Sequence, residues 1–129
     1  MILDWAREFN WDQVDTVLLD MDGTLLDLHF DSFFWMQHLP RRYGEKHGLS
    51  AAQAIPDIAQ RLADKQGTLD WYCTEFWSRE LDMDIVDLKR EIKHLIIERP
   101  QTLDFLRALG RRGNNRALIT AHQTHSVEL

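Results

Sequence analysis

Residues 14–27 read VDTVLLDMDGTLLD: an apolar run that stops abruptly at two aspartates and a glycine. A carboxylate at the end of a buried strand costs free energy unless a cation, hydrogen bonds or chemistry uses it. A calcium loop with Gly23 at its glycine position would put Leu18 at the first ligand and His29 at the last, so that reading fails. An Asp-Gly hairpin turn accounts for Asp22 and Gly23 but strands Asp20 in an apolar segment and supplies no second hairpin strand. Phosphoryl chemistry uses every residue. Asp20 sits at the carboxyl end of a strand, where open α/β sheets bind ligands. There it can attack phosphorus and form an aspartyl-phosphate. Asp22, two residues on, can serve the leaving oxygen as general acid and then the hydrolytic water as base. Gly23 allows the tight turn, and Thr24 offers a donor to phosphate. The accumulated negative charge calls for Mg²⁺.

Outward from this stretch, TVLLDM (residues 16–21) reads as a short strand buried on both faces, as in parallel sheets. Helical signals fill the span to about Glu98. Asp31 is a candidate cap for SFFWMQHL, which Pro40 should end or kink. Ser50 and Gln53 form a capping-box pattern before AAQAIPDIAQRLADK, where Pro56 should bend the helix. Gly67 and Thr68 mark a stop and a new cap before LDWYCTEFWSREL. In IVDLKREIKHLII, Ile85, Leu88, Ile92, Leu95 and Ile96 share a face. Pro100 opens a helix through QTLDFLRAL, closed by Gly110, with Leu103, Leu106 and Leu109 inward. RALIT (residues 116–120) is a second short strand, ending at Thr120. The order strand, helical block, helix, strand is a parallel crossover with helices inserted after the first strand. The closing THSVEL looks like the first turn of a helix, so the chain reads as the N-terminal portion of a longer one.

The 129 residues suit one domain, and 44% hydrophobic with 28% charged residues is a globular composition. A net charge of -6 with dispersed acids speaks against a nucleic-acid partner. The single Cys73 excludes an internal disulfide and fits a reducing compartment. The N-terminal MILDWAREFN lacks a signal-peptide pattern, and no apolar run nears the ~18 residues of a membrane span. A cytoplasmic protein without membrane association is expected. Phe30, Phe33, Phe34, Trp35, Trp71, Tyr72, Phe76 and Trp77 recur at helical spacing, which a core produces. At least one of Phe34, Trp35, Trp71 or Trp77 is nevertheless expected to face the cleft and stack on a purine. His122 and His125 could meet on a helix, but no third zinc ligand accompanies them.

DMDGTLLD, residues 20–27, resembles the first motif of the haloacid dehalogenase (HAD) superfamily of phosphohydrolases, Asp-x-Asp-Gly-Thr after an apolar strand. The resemblance implies Asp20 as nucleophile and Mg²⁺ ligand, and Asp22 as acid/base whose carbonyl also binds the metal. Thr120 in ALIT matches the family's second motif, a phosphate donor at the end of the next core strand; Ala121 follows where an Asn often stands in relatives. Thr24 and Thr120 are the implied phosphate-binding residues. LLDMDGTLLDLHFD and TLDWYCTEFW are similar to bacterial GMP/IMP nucleotidases within the superfamily. The implied fold is α/β: a partial Rossmann-like core at 1–29 and 99–129, with a helical cap at 30–98. The implied activity is Mg²⁺-dependent phosphomonoester hydrolysis of a small-molecule ester, a purine nucleoside monophosphate. A sugar-phosphate phosphatase or phosphomutase shares the same acids, and a non-catalytic chain that only binds, or self-associates through its incomplete core, is the rival from another class. The family's Lys and late acidic pair are not in this sequence.

Overall fold

The computed structural model describes residues 9–120, so His122, His125 and the closing THSVEL lie outside the described residues. A 3-10 turn, Trp11–Gln13, leads into β1, Thr16–Leu19, and the chain returns as β2, Asn115–Leu118. The two strands pair in parallel with Thr16 opposite Asn115 and Leu19 opposite Leu118. Each strand is shorter than its apolar run suggests. Only Leu19 of β1 is buried; Leu18 is 66% and Leu118 45% exposed, so the expectation of strands buried on both faces is not met. Apolar residues on both faces of a strand need cover on both sides, and a two-stranded sheet provides little of it.

Between the strands runs a helical block. α1, His29–Phe33, passes through a π-helical turn, Phe34–His38, directly into α2, Leu39–His47. Pro40 therefore does not end the helix. A proline lacks the N–H that would bond the carbonyl four residues back, and its ring crowds that carbonyl. The wide π turn absorbs the mismatch, with Leu39 N donating to Phe34 O five residues earlier. Gly48, at φ 68°, ends α2 in the left-handed region. Nor does Asp31 cap the start: Leu28 holds the cap position, while the Asp27 carboxylate accepts from His29 N at 2.8 Å.

α3, Ala51–Lys65, is built as its sequence indicates, with both arms of the Ser50–Gln53 capping box formed and Pro56 carried inside the helix. The stretch after Gly67 divides. Leu69–Tyr72 is a 3-10 turn without a Thr68 side-chain cap, and α4, Thr74–Leu81, starts at Cys73, whose sulfur accepts from Phe76 N. The Thr68 hydroxyl instead donates to Lys65 O at 2.7 Å. α5, Ile85–Glu91, gives way to a 3-10 turn, Lys93–Leu95, earlier than its apolar face suggests. α6, Thr102–Arg112, ends at Gly113 with φ 76°, past Gly110, and Leu103 is 48% exposed rather than inward.

The core lies within this block. Phe34, Leu39, Ile58, Trp77, Leu81 and Ile85 are almost wholly buried in one cluster, each such side chain contributing roughly 1.5–3 kcal/mol of transfer free energy. His38 and Arg42 both meet Glu91, through Nε2 at 2.8 Å and Nη2 at 3.2 Å, tying the π turn and α2 to α5. The block leaves and rejoins the sheet at one place. Leu26 bridges Glu98 in antiparallel fashion, Asp27 N donates to Ile97 O at 2.8 Å, and Arg99 N donates to Leu25 O at 2.9 Å. The buried Thr102 hydroxyl adds a 3.2 Å bond to Leu25 O.

Candidate active site

β1 ends at Leu19 because the chain turns there. Asp20, exposed, folds its Oδ1 back to accept from Met21 N at 2.8 Å. The parallel register puts Asp20 beside Ile119, whose amide donates to Leu19 O at 2.7 Å, with the half-buried Thr120 one residue further on, just past the end of β2. Both thus lie at the carboxyl edge of the strand pair, where such sheets bind ligands.

The loop after Asp20 winds around one carbonyl. Met21 O accepts from Leu25 N at 3.0 Å and Leu26 N at 2.9 Å, with Thr24 N at 3.4 Å. Gly23 closes the turn at φ 76°, a conformation strained for any side chain, and donates to Leu26 O at 2.8 Å. A Cβ at this position would also stand 3.2 Å from Leu28 Cγ. The requirement for glycine is chiefly conformational, since the exposed Leu28 side chain can shift. Thr24 is exposed on the outer turn, while Asp22 is half-buried and bridged to Leu26.

Among the described residues no group of three His, Cys, Asp or Glu could hold a metal ion. The donors Asp20 and Asp22 are nevertheless all-oxygen and anionic. Mg²⁺ commonly takes only one or two protein carboxylates and completes its shell with waters and substrate phosphate, so the donor set fits that ion.

Asp22 also borders a cavity of about 210 Å³ that it shares with Asp31, Trp35, Trp71, Trp77 and Lys89. Trp35, Trp71 and Trp77 line this cavity, which Phe34 does not, although Trp77, like Phe34, is almost wholly buried. Trp77 is fixed by its indole N–H, which donates to Trp71 O at 3.1 Å, and it meets Trp35 edge-on at 5.8 Å between ring centres. Tyr72 and Thr74 complete the wall.

Lys89 was not foreseen. It is 2% exposed, with its Nζ 3.5 Å from Asp31 Oδ1 and over the rings of Phe34 and Trp35 at 5.2 and 5.5 Å. Burial pulls its pKa down, opposed by the charges of Asp31 and Asp22. Its sequence signal was positional: Lys89 follows Ile85 by four residues and Leu88 by one, on the inward face of α5. A lysine there is a buried cation by geometry, although its composition reads as surface charge.

No protein-family model matches the chain. Over 117 residues it is 43% identical to the GMP/IMP nucleotidase YrfG of Escherichia coli (strain K12), covering 91% of this chain and 53% of that protein. The same figures hold for the GMP/IMP nucleotidase YrfG of Shigella flexneri. The chain spans about half the length of these curated relatives. In fold it is similar to a crystal structure described as a HAD phosphatase from Thermococcus onnurineus. That likeness has a TM-score of 0.73 at 19% identity and covers 90% of this chain and 56% of the other.

Proposed function

We propose that this chain, nucleotidase-like in sequence and with a partial HAD-type Rossmann-like fold, carries the nucleophile-bearing part of a phosphomonoester hydrolase for purine 5′-nucleotides. One observation carries the reading: the tight Met21–Leu26 loop sets Asp20 at the carboxyl edge of the sheet while Asp22 borders the aromatic-walled cavity. The phosphate end and the organic end of one ester could be served by these two acids. The 43% identity to nucleotidases supports the substrate class.

In this reading Asp20 Oδ attacks phosphorus and the ester oxygen leaves, with Asp22 donating its proton to that oxygen. Asp22 then takes a proton from the water that opens the aspartyl-phosphate. Thr24 and Thr120 donate to the phosphoryl oxygens. Asp20 and Asp22 would hold Mg²⁺, which supplies charge neutralisation at the phosphoryl group. Residues 30–98 act as the cap over a core formed by 1–29 and 99–129, and the lone Cys73 suits a reducing cytoplasm. The exposed Leu18, Leu118 and Ile119 favour association through the sheet.

The test is Mg²⁺-dependent phosphate release from IMP, GMP, AMP and ribose 5-phosphate, on the chain alone and on a chain extended to the length of its relatives. Asp20→Asn is expected to abolish turnover without loss of fold, because an amide is no nucleophile. Asp22→Asn should cost about 10²–10⁴-fold, the usual worth of a general acid. Near-normal phosphate release from Asp20→Asn would sink the assignment, and turnover of ribose 5-phosphate alone would replace the nucleotide by a sugar phosphate.

A further inference from the structure

We propose that Lys89 and Asp31 form a donor–acceptor pair that reads the base of the substrate and selects 6-oxopurines over 6-aminopurines. The inference rests on the nucleotide reading above.

The cavity joins Asp22, the group assigned to the leaving oxygen, to a wall of indole rings, so it belongs to the organic half of the ester. At about 210 Å³ it falls below the roughly 300 Å³ at which pockets for drug-sized ligands begin. It therefore suits one planar ring system rather than a whole nucleotide. Trp35, Trp71 and Trp77 line it with apolar ring surface, which does not by itself distinguish one base from another. Discrimination must come from the polar groups.

An ammonium has three N–H donors and no acceptor. Among the described residues, Lys89 Nζ has one hydrogen-bonding partner, Asp31 Oδ1, at a long 3.5 Å. That leaves donor capacity in a group that is 2% exposed. Asp31 Oδ1 already accepts from the Trp35 indole N–H at 3.2 Å, which fixes the carboxylate and leaves its second oxygen as an acceptor. A fixed donor beside a fixed acceptor matches the edge of hypoxanthine or guanine, where the 6-oxygen accepts and the neighbouring N1–H donates. Adenine presents the opposite order, an amino donor beside a bare N1. A ligand that leaves the spare donor of Lys89 and the second oxygen of Asp31 unmet is disfavoured against one that satisfies both.

The measurement is quenching of the cavity tryptophans when the purified chain is titrated with IMP, AMP or ribose 5-phosphate, a readout that does not need turnover. Wild type is expected to bind IMP at least tenfold more tightly than AMP. Lys89→Met should weaken IMP at least tenfold and leave AMP within threefold, while Lys89→Arg should retain the preference. Lys89→Gln, which keeps a donor, is the second variant should the methionine form fail to fold by thermal melting. Equal loss on both nucleotides, no preference in wild type, no IMP binding, or ribose 5-phosphate competing as well as IMP would each overturn the proposal. IMP-selective binding lost in Lys89→Met, but without phosphate release from any extended chain, would sink the hydrolase assignment and leave base recognition standing.

Discussion

Gly44 is buried in α2, and a Cβ built on it would lie 2.7 Å from the carbonyl oxygen of Leu49. That oxygen is backbone, held where Leu49 N donates to Gly44 O at 2.9 Å, so it cannot swing aside as a side chain would. Helix propensity favours alanine over glycine by about 1 kcal/mol, but overpacking against a fixed neighbour costs typically ~1–3 kcal/mol. Gly44→Ala should therefore lose stability in urea unfolding; a stabilised variant would mean the Gly48–Leu49 turn yields freely. Charge at the surface works differently. Glu45 is lowered below its ordinary 4.5, first by the hydrogen bond from Arg42, and Asp82 below 3.8, first by Lys46. A carboxylate with a depressed folded pKa contributes stability that is present above its unfolded value and lost as pH falls through the folded one. The loss therefore belongs below about pH 4.5. Both groups are exposed, so the effect is small. Glu45→Gln should unfold slightly more easily than wild type at pH 7 and equally at pH 2.5. A gap that persisted unchanged at pH 2.5 would assign it to packing.

The elements divide by how local their causes are. The glycine turn at Gly23 and the Ser50–Gln53 capping box depend on neighbours within three residues, and both were readable. Ser50 Oγ accepts from Gln53 N at 3.3 Å and Ser50 N donates to Gln53 Oε1 at 2.9 Å. Ser50→Ala should cost about 0.5–2 kcal/mol of stability, as cap removal does. If thermal melting showed no change, Gln53 alone would be sufficient. Other outcomes were set by distant partners. Pro40 looked like a stop because propensity ignores tertiary support, yet His38, in the π turn just before it, is 4% exposed and held by Glu91 of α5. Thr68 read as a cap, but its hydroxyl goes back to Lys65 and Cys73 takes the role. In the candidate site, Asp20, Asp22 and Thr24 were legible as candidates because they share one short motif, and Thr120 was through the family resemblance. Lys89 and Asp31 were not, since 58 residues separate them and only the fold brings them together.

At the scale of the molecule, packing is concentrated away from the sheet. The buried cluster of Phe34, Leu39, Ile58 and Trp77 belongs to the helices, while β1 and β2 keep Leu18, Leu118 and Ile119 exposed. Backbone amides open with free energies that follow local burial. In native-state hydrogen exchange, amides of α3 around Ile58 and Leu62 should be protected longer than those of Val17–Leu19 and Arg116–Leu118. Equal protection across both regions would show one cooperative unit and contradict the division.

The rungs at Leu25–Asp27 and Ile97–Arg99 hold the departure and return of the helical block side by side. To the sheet, everything between them is an excursion of zero net displacement. Its contour length is thereby uncoupled from strand spacing, and lengthening a flexible closed loop is cheap, about 0.6 kcal/mol for each doubling. A segment fastened in this way can be enlarged, trimmed or exchanged wholesale while Asp20 and Asp22 stay where they are. On the proposed function, substrate choice and bond-breaking chemistry would then evolve as separate variables.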